Sequence, residues 1–189
     1  AKPQKQPVAY RPTKKLSLFL TNFAHMATHR LSLDDDLEES YALFAIHSAA
    51  EAYKMAYLIN SHLGIYLTRR RKDKEVIKDQ MSQIYPTYTF EHPVQDLTFV
   101  LLANNCKIAL SDSHLNSGEL FALGEKTKSQ KAYLLPEFKQ VDYFLKLDSE
   151  LNALQNKTIA TQLNAIKEVI SSYEVPLNQV KTINHLIIN

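Results

Sequence analysis

Glycine is the scarcest structural resource in this chain of 189 residues, which holds only Gly64, Gly118 and Gly124 against an average usage of about 7%. Loops that cradle a phosphate need glycine where backbone amides approach the anion. Neither GxGxxG nor GxxxxGK[ST] can be written anywhere in the sequence, so nucleotide binding by those two routes is excluded. Cysteine is limited to Cys106, which rules out an internal disulfide and a cysteine-based zinc cage and fits a reducing compartment, with the cytoplasm as the expectation. Tryptophan is absent. No apolar run approaches the roughly 20 residues of a membrane-spanning helix, so no membrane span is expected.

What is present suits one globular unit. Apolar residues make up 45% of the chain, and a domain of this size buries roughly 70% of the surface its unfolded chain exposes. The net charge of +2 hides an asymmetry: residues 1–30 carry six basic side chains (Lys2, Lys5, Arg11, Lys14, Lys15, Arg30) and no acid, which leaves the remainder at −4. A body that neutralised many phosphates would show a basic excess. Residues 1–25, with Pro3, Pro7 and Pro12 and the short apolar patch Leu16 to Leu20, read as a flexible basic leader or extension. A signal peptide is the competing reading, weakened by Thr21 and Asn22 within the apolar run. Residues 26–189 form the expected single domain, its folded part starting near Thr28.

Along this body, His29 to Leu33 alternates as a short strand and Asp34-Asp35-Asp36 interrupts it as a solvated turn. Tyr41 to His47 is apolar at both alternating positions, as in a buried central strand; one continuous helix from Leu37 to Leu63 is the alternative. Ser48-Ala49-Ala50-Glu51 has the form of a capping box, favouring a helix from residue 49. Its apolar positions are Ala52, Met55, Ala56, Ile59 and Leu63, with Gly64 as a left-handed cap. Ile65 to Arg70 reads as a strand, and Thr87 to Glu91 with Leu97 to Leu102 as a hairpin around Pro93. Cys106 to Leu110 then continues the meander after an Asn104-Asn105 turn. Ser111 to Lys131 reads as a long polar loop.

Val141, Tyr143, Leu145 and Leu147 line one face of a half-buried strand. A helix from about Ser149 to Ser172 follows, with Leu151, Leu154, Leu163, Ile166 and Ile170 as its stripe and Pro176 beyond it. After Pro176 a short helical turn and then a strand at His185 to Ile188 are expected. The class is α+β: a mainly antiparallel sheet with one central helix and one long C-terminal helix.

The stretch Leu135-Pro136-Glu137, three spacers, Val141-Asp142-Tyr143 resembles the motif that names the bacterial IPExxxVDY proteins, with Leu135 in place of Ile. The resemblance extends more weakly to the start at Arg30-Leu31-Ser32-Leu33-Asp34. It implies membership of a family without an assigned activity, and therefore no reaction. Glu137 and Asp142 could divide acid and base roles. The favoured reading is geometric: Pro136 sets a turn, Glu137 is a solvated or capping group, and Tyr143 packs beneath the sheet.

Other constellations are weaker. Asp34, Asp35, Asp36, Glu38 and Glu39 lack the glycine of a calcium loop and read as a solvated turn. His47 reads as a boundary histidine. Cys106 with His92 or His114 has the ingredients of a nucleophile and base, yet Cys106 alternates with core residues, where a thiol is inert. Asp112-Ser113-His114 reads as loop. No catalytic residue, metal ligand or cofactor is assigned, and no reaction can be named.

The patch with a definable partner is Arg69, Arg70, Arg71, Lys72 and Lys74 near Tyr66, Tyr85 and Tyr88. Basic residues beside aromatics suit single-stranded RNA; a charged sheet edge is the structural alternative. If the strand runs through residue 71, Arg69 and Arg71 share a face. The functional expectation is a non-enzymatic cytoplasmic protein-interaction or accessory module with a protein partner, and the alternative is an RNA-associated protein using this patch.

Overall fold

The computed structural model describes residues 41–78, 81–93, 97–109, 129–148 and 153–188. The leader, the expected strand at 29–33, the acidic run, His114 and most of the expected loop lie outside these residues.

Tyr41–His47 is a strand, β1. Ala42, Phe44 and Ile46 enter one apolar cluster while Leu43 and Ala45 enter another, so both faces are covered. That is why the segment shows no polar alternation. Helix α1 (Ala52–Leu63) follows, presses Met55, Ala56, Ile59 and Leu63 into the first cluster, and ends at Gly64 with φ 71°. This left-handed turn, which a side chain with a Cβ disfavours, lets the Gly64 amide donate to Asn60 O at 2.9 Å.

The expected capping box does not form. The helix starts at Ala52 after an extended Glu51 that makes no side-chain cap bond. Ser48 Oγ instead accepts from the Ala50 amide at 3.1 Å and donates to Glu168 O at 2.8 Å. Tertiary partners supplied by the chain near residue 168 take the hydroxyl that a local cap would have used.

The remaining strands among the described residues are β2 (Thr68–Arg69), β3 (Lys74–Lys78), β4 (Met81–Tyr85), β5 (Thr87–Glu91), β6 (Thr98–Ala103), β7 (Asn105–Ala109), β8 (Ser129–Tyr133), β9 (Tyr143–Asp148) and β10 (Ser171–Glu174). A six-stranded sheet has the order β10-β1-β9-β6-β5-β2, and every neighbouring pair is antiparallel. The hairpin around Pro93 is present, with Glu91 opposite Thr98. β3 and β4 form one two-stranded ribbon and β7 and β8 another. Cys106 therefore does not continue the main meander, and residues 129–131 of the expected loop are strand.

β9 lies between β1 and β6 and is buried on both faces rather than one. Val141 precedes it and packs in the second cluster, whereas Tyr143, Leu145 and Leu147 belong to the first. Lys146, on the second face, is buried with its ammonium 2.8 Å from Asp148 Oδ1 and 4.6 Å from the centre of the Tyr41 ring, so its charge is met by a carboxylate and a π face.

Among the described residues the C-terminal helix does not run to Ser172. Helix α2 spans Ala153–Asn164, and Ser171–Glu174 returns as β10 against β1. Leu154 and Ile170 are 73% and 79% exposed, whereas Ile159, Leu163 and Ile166 are buried. An apolar stripe drawn through residue 170 runs past the true helix end, because sheet pairing captures the following four residues. After Pro176 come two short 3-10 turns, Leu177–Gln179 and Ile183–Leu186. The expected helical turn is found, while 185–188 is not a strand.

The molecule thus has helices α1 and α2 on one face of the large sheet. The other face is covered by Tyr85 of the first ribbon, by Leu134 and Leu135, and by Val175, Val180 and Leu186 of the C-terminal segment. This is an α+β arrangement built mainly from antiparallel strands.

Candidate functional site

Leu135 to Tyr143 links the β7–β8 ribbon to β9, and its two carboxylates bond to the protein's own backbone. Pro136–Phe138 is a 3-10 turn entered from an extended Leu135, in keeping with the bias that proline imposes on its predecessor. At the centre stands Asn104, 0% exposed. Its Oδ1 accepts the Leu135 amide at 2.9 Å, and its Nδ2 donates to Phe138 O at 2.8 Å and Val141 O at 2.9 Å. Its backbone is also engaged, the amide donating to Asp142 O and the carbonyl accepting the Leu134 amide, both at 2.8 Å. One amide side chain thus satisfies three backbone groups of a tight bend that no regular ladder can serve.

The two acids of this stretch face different elements. Glu137 Oε1 accepts the amides of Lys181 at 2.7 Å and Thr182 at 3.0 Å, and both carboxylate oxygens meet the Thr182 hydroxyl. Asp142 Oδ2 accepts the Ser48 amide at 2.9 Å. Each carboxylate is the receptor for a separate piece of chain, a geometry unsuited to shared acid and base work. The Tyr143 hydroxyl donates to Ala50 O at 2.5 Å. Burial first, then the charges of Asp142 and Glu51, pushes its pKa up to about 12. Leu135, Glu137, Val141, Asp142 and Tyr143 therefore knit β1, β9, the second ribbon and the C-terminal segment together.

Glu137 carries a pH dependence. Burial pushes its pKa up, but donation from its own amide and from Thr182 and Lys181 outweighs this and leaves it below the ordinary 4.5. Because the folded carboxyl ionises below the unfolded one, its contribution is complete above about pH 4.5 and is lost as pH falls through the lower folded value. E137A is expected to cost about 1.5–3 kcal/mol at pH 7. The gap to the parent should narrow in urea titrations carried progressively below pH 4.5, and a gap independent of pH would assign the loss to packing instead.

The basic patch is divided by the fold. β2 ends at Arg69, so the strand does not run through residue 71. Arg69 Nη2 pairs with Asp73 Oδ2 at 2.5 Å, and its guanidinium lies 5.9 Å from the centre of the Tyr88 ring. The hydrogen bond to Asp73, then its charge, raises the Arg69 pKa. Lys74 Nζ donates to Ile187 O at 2.6 Å, and burial lowers its pKa. The Arg70 amide donates to Thr87 O at 3.0 Å. Arg71 and Lys72 stand exposed at the bend between β2 and β3. The structure therefore brings Arg69 to Lys74 together at one sheet edge, with Arg69 and Lys74 already engaged internally. Tyr85 and Tyr88 are buried, leaving Tyr66 as the exposed aromatic of the three.

The other candidates separate likewise. His47 stacks on Tyr173 at 5.8 Å between ring centres, and α1 begins five residues later. Cys106 is half-buried, and burial raises its thiol pKa against bonds from Tyr85 and the backbone at Ile84 and Ala132. Among the described residues no histidine is among the groups acting on it. His92 sits edge-on to Phe90 at 6.2 Å, and burial lowers its pKa. Among the described residues there is no group of three or more His, Cys, Asp or Glu placed to hold a metal ion, and no helix long and apolar enough to cross a membrane.

Sequence reasoning missed Asn104, which it read as a turn signal. It also missed the outer face of α1, where Tyr53 and Tyr57 are 69% and 68% exposed at i, i+4 spacing. The inner stripe defines that face by difference, so the signal was legible. No family model matches this chain, and no match is found among curated proteins or solved structures.

Proposed function

We propose that this protein is a non-enzymatic, cytoplasmic protein-interaction or accessory module, and that it belongs with the IPExxxVDY-like proteins. The observation that carries the interaction reading is the pair Tyr53 and Tyr57, standing in solvent on a helix whose opposite face is locked into the core. Tyrosine offers a rigid apolar body and a hydroxyl at small entropic cost, and it is enriched where proteins meet. The signature-like turn supports the same reading indirectly. Its carboxylates are committed to the protein's own backbone, so its part is to hold the scaffold that presents α1.

The second reading is RNA association through the bend at Arg71 and Lys72, with Arg69, Arg70 and Lys74 behind it. The exposure of Arg71 and Lys72 favours it, and the internal bonds of Arg69 and Lys74 count against it.

The experiment is affinity purification of tagged protein from its own cytoplasm, with and without ribonuclease, for the parent, Y53S/Y57S and R71E/K72E. A stoichiometric protein that survives ribonuclease and is lost at least tenfold in Y53S/Y57S is the expected result. Retention of that protein by Y53S/Y57S would remove α1 as the interface. RNA captured by the parent and lost in R71E/K72E would establish the second reading in its place.

A further inference from the structure

Among the described residues the six-stranded sheet ends at β2 and at β10, and both end strands carry the same side-chain device. An edge strand presents backbone amides and carbonyls outward, and these are a template for another strand. In antiparallel pairing the outward residues alternate with those bonded inward. At one edge the Arg70 amide bonds inward to Thr87 O, and with Thr68 opposite Thr89 the alternation turns Arg69 and Leu67 outward. At the other edge the Val175 amide bonds inward to Leu43 O, which with the β1 register turns Ser172 and Glu174 outward.

Leu67 and Ser172 each meet a complete amide. Asn60 Oδ1 accepts the Leu67 amide at 2.7 Å while Asn60 Nδ2 donates to Leu67 O at 3.1 Å. Asn164 Oδ1 accepts the Ser172 amide at 2.8 Å while Asn164 Nδ2 donates to Ser172 O at 2.7 Å. A side-chain amide has the donor and acceptor of a peptide group, so each asparagine reproduces the paired bonds a neighbouring strand would make. Asn60 lies in the last turn of α1 and Asn164 is the last residue of α2, so both are delivered by a helix end. Asparagine is a poor helix former, and its tertiary bonds supply the reason for its presence here. The outward residues left at the two edges, Arg69 and Glu174, are exposed and charged, and charge on an edge opposes strand addition.

We infer that Asn60 and Asn164 are edge plugs: each stands in for a strand and keeps the sheet from pairing with a second copy of this chain. The inference goes beyond the interaction reading and does not depend on it. Plugged edges restrict partners to side-chain surfaces, and the basic residues beginning at Arg69 become part of the protection of the β2 edge.

Two measurements test the plugs. In the unmodified protein, hydrogen exchange at the Leu67 and Ser172 amides should be about tenfold or more slower than at Arg69 and Glu174; equal rates would overturn the assignment without requiring any variant to fold. In N164A, light scattering over rising concentration should show a gain in mass where the parent holds constant. The further change S172P, which removes the outward donor of β10, should reverse that gain. A folded N164A that keeps the parent's mass, or an association that S172P leaves intact, would overturn the role of Asn164.

Discussion

Replacing Asn104 with alanine is expected to lower the unfolding free energy by about 3–5 kcal/mol, among the largest single losses available outside the aromatic core. The variant N104A deletes one acceptor and two donors that serve Leu135, Phe138 and Val141 at a site with no solvent exposure. Water cannot replace them without opening the turn. Each stranded backbone group costs about 1–3 kcal/mol, and relaxation of the bend keeps the sum below the simple total. N104D separates the contributions: the acceptor for the Leu135 amide survives, while a carboxylate now faces two carbonyl oxygens, so it should be at least as damaging. Urea unfolding at pH 7 with an unchanged slope is the measurement. A loss below about 1 kcal/mol would mean that the turn holds itself without the clamp.

Phe144→Ala is expected to cost about 3–5 kcal/mol. Phe144 is fully buried on β9, opposite Ala45 on one side and Leu102 on the other. The small Ala45 leaves room for the ring, and Phe138 meets it edge-on at 5.8 Å and 76°. Truncation would leave a void bounded by strands paired on both sides, which cannot close by moving one element. The double variant F138A/F144A should lose less than the sum of the single changes by about 0.5–1.5 kcal/mol. Thermal and urea unfolding of the four proteins check both statements, and strict additivity would show that the two rings do not act on each other.

Phe144 and Asn104 differ in how much of their role the neighbouring sequence carries. Phe144 was readable as part of a strand, although the polar residues Asp142, Lys146 and Asp148 beside it made that strand look half-buried. In the fold, Lys146 is buried with its charge met by Asp148 and Tyr41, so a lysine in an alternating pattern did not mark a solvent face. Asn104 was readable only as a turn former. Nothing local shows that its amide will serve groups 31, 34 and 37 residues away.

Elements whose stabilising contacts are near in sequence were legible. Helix α1 with its Gly64 cap and the β5–β6 hairpin follow from periodicity and turn chemistry, whereas β1, whose partners β9 and β10 are distant, left a helix open as the alternative. Elements held by distant partners were not. The ribbons β3–β4 and β7–β8 combine weakly patterned strands, and β10 begins just past Ile170, the last residue of the apolar stripe that suits a helix. Ser48 has a capping-box sequence, but its hydroxyl bonds Glu168 O, 120 residues away.

The basic cluster shows the same division. Composition alone placed five cations within six residues, and it could not say that Asp73 would hold Arg69 or that the carbonyl of Ile187 would receive Lys74. Those bonds convert a uniform patch into an exposed pair, Arg71 and Lys72, beside an internally braced edge.

By itself the sequence determined the α+β class, the mainly antiparallel sheet, the secure helix with its glycine stop, and the absence of glycine-rich phosphate loops. These follow from side-chain period and backbone freedom, which act within a few residues. Only the tertiary structure decided where α2 ends, which carboxylate holds which segment, and that asparagines close both edges of the sheet. Such choices depend on donors and acceptors brought together from distant parts of the chain, and a buried polar group takes whichever partner the packed fold delivers.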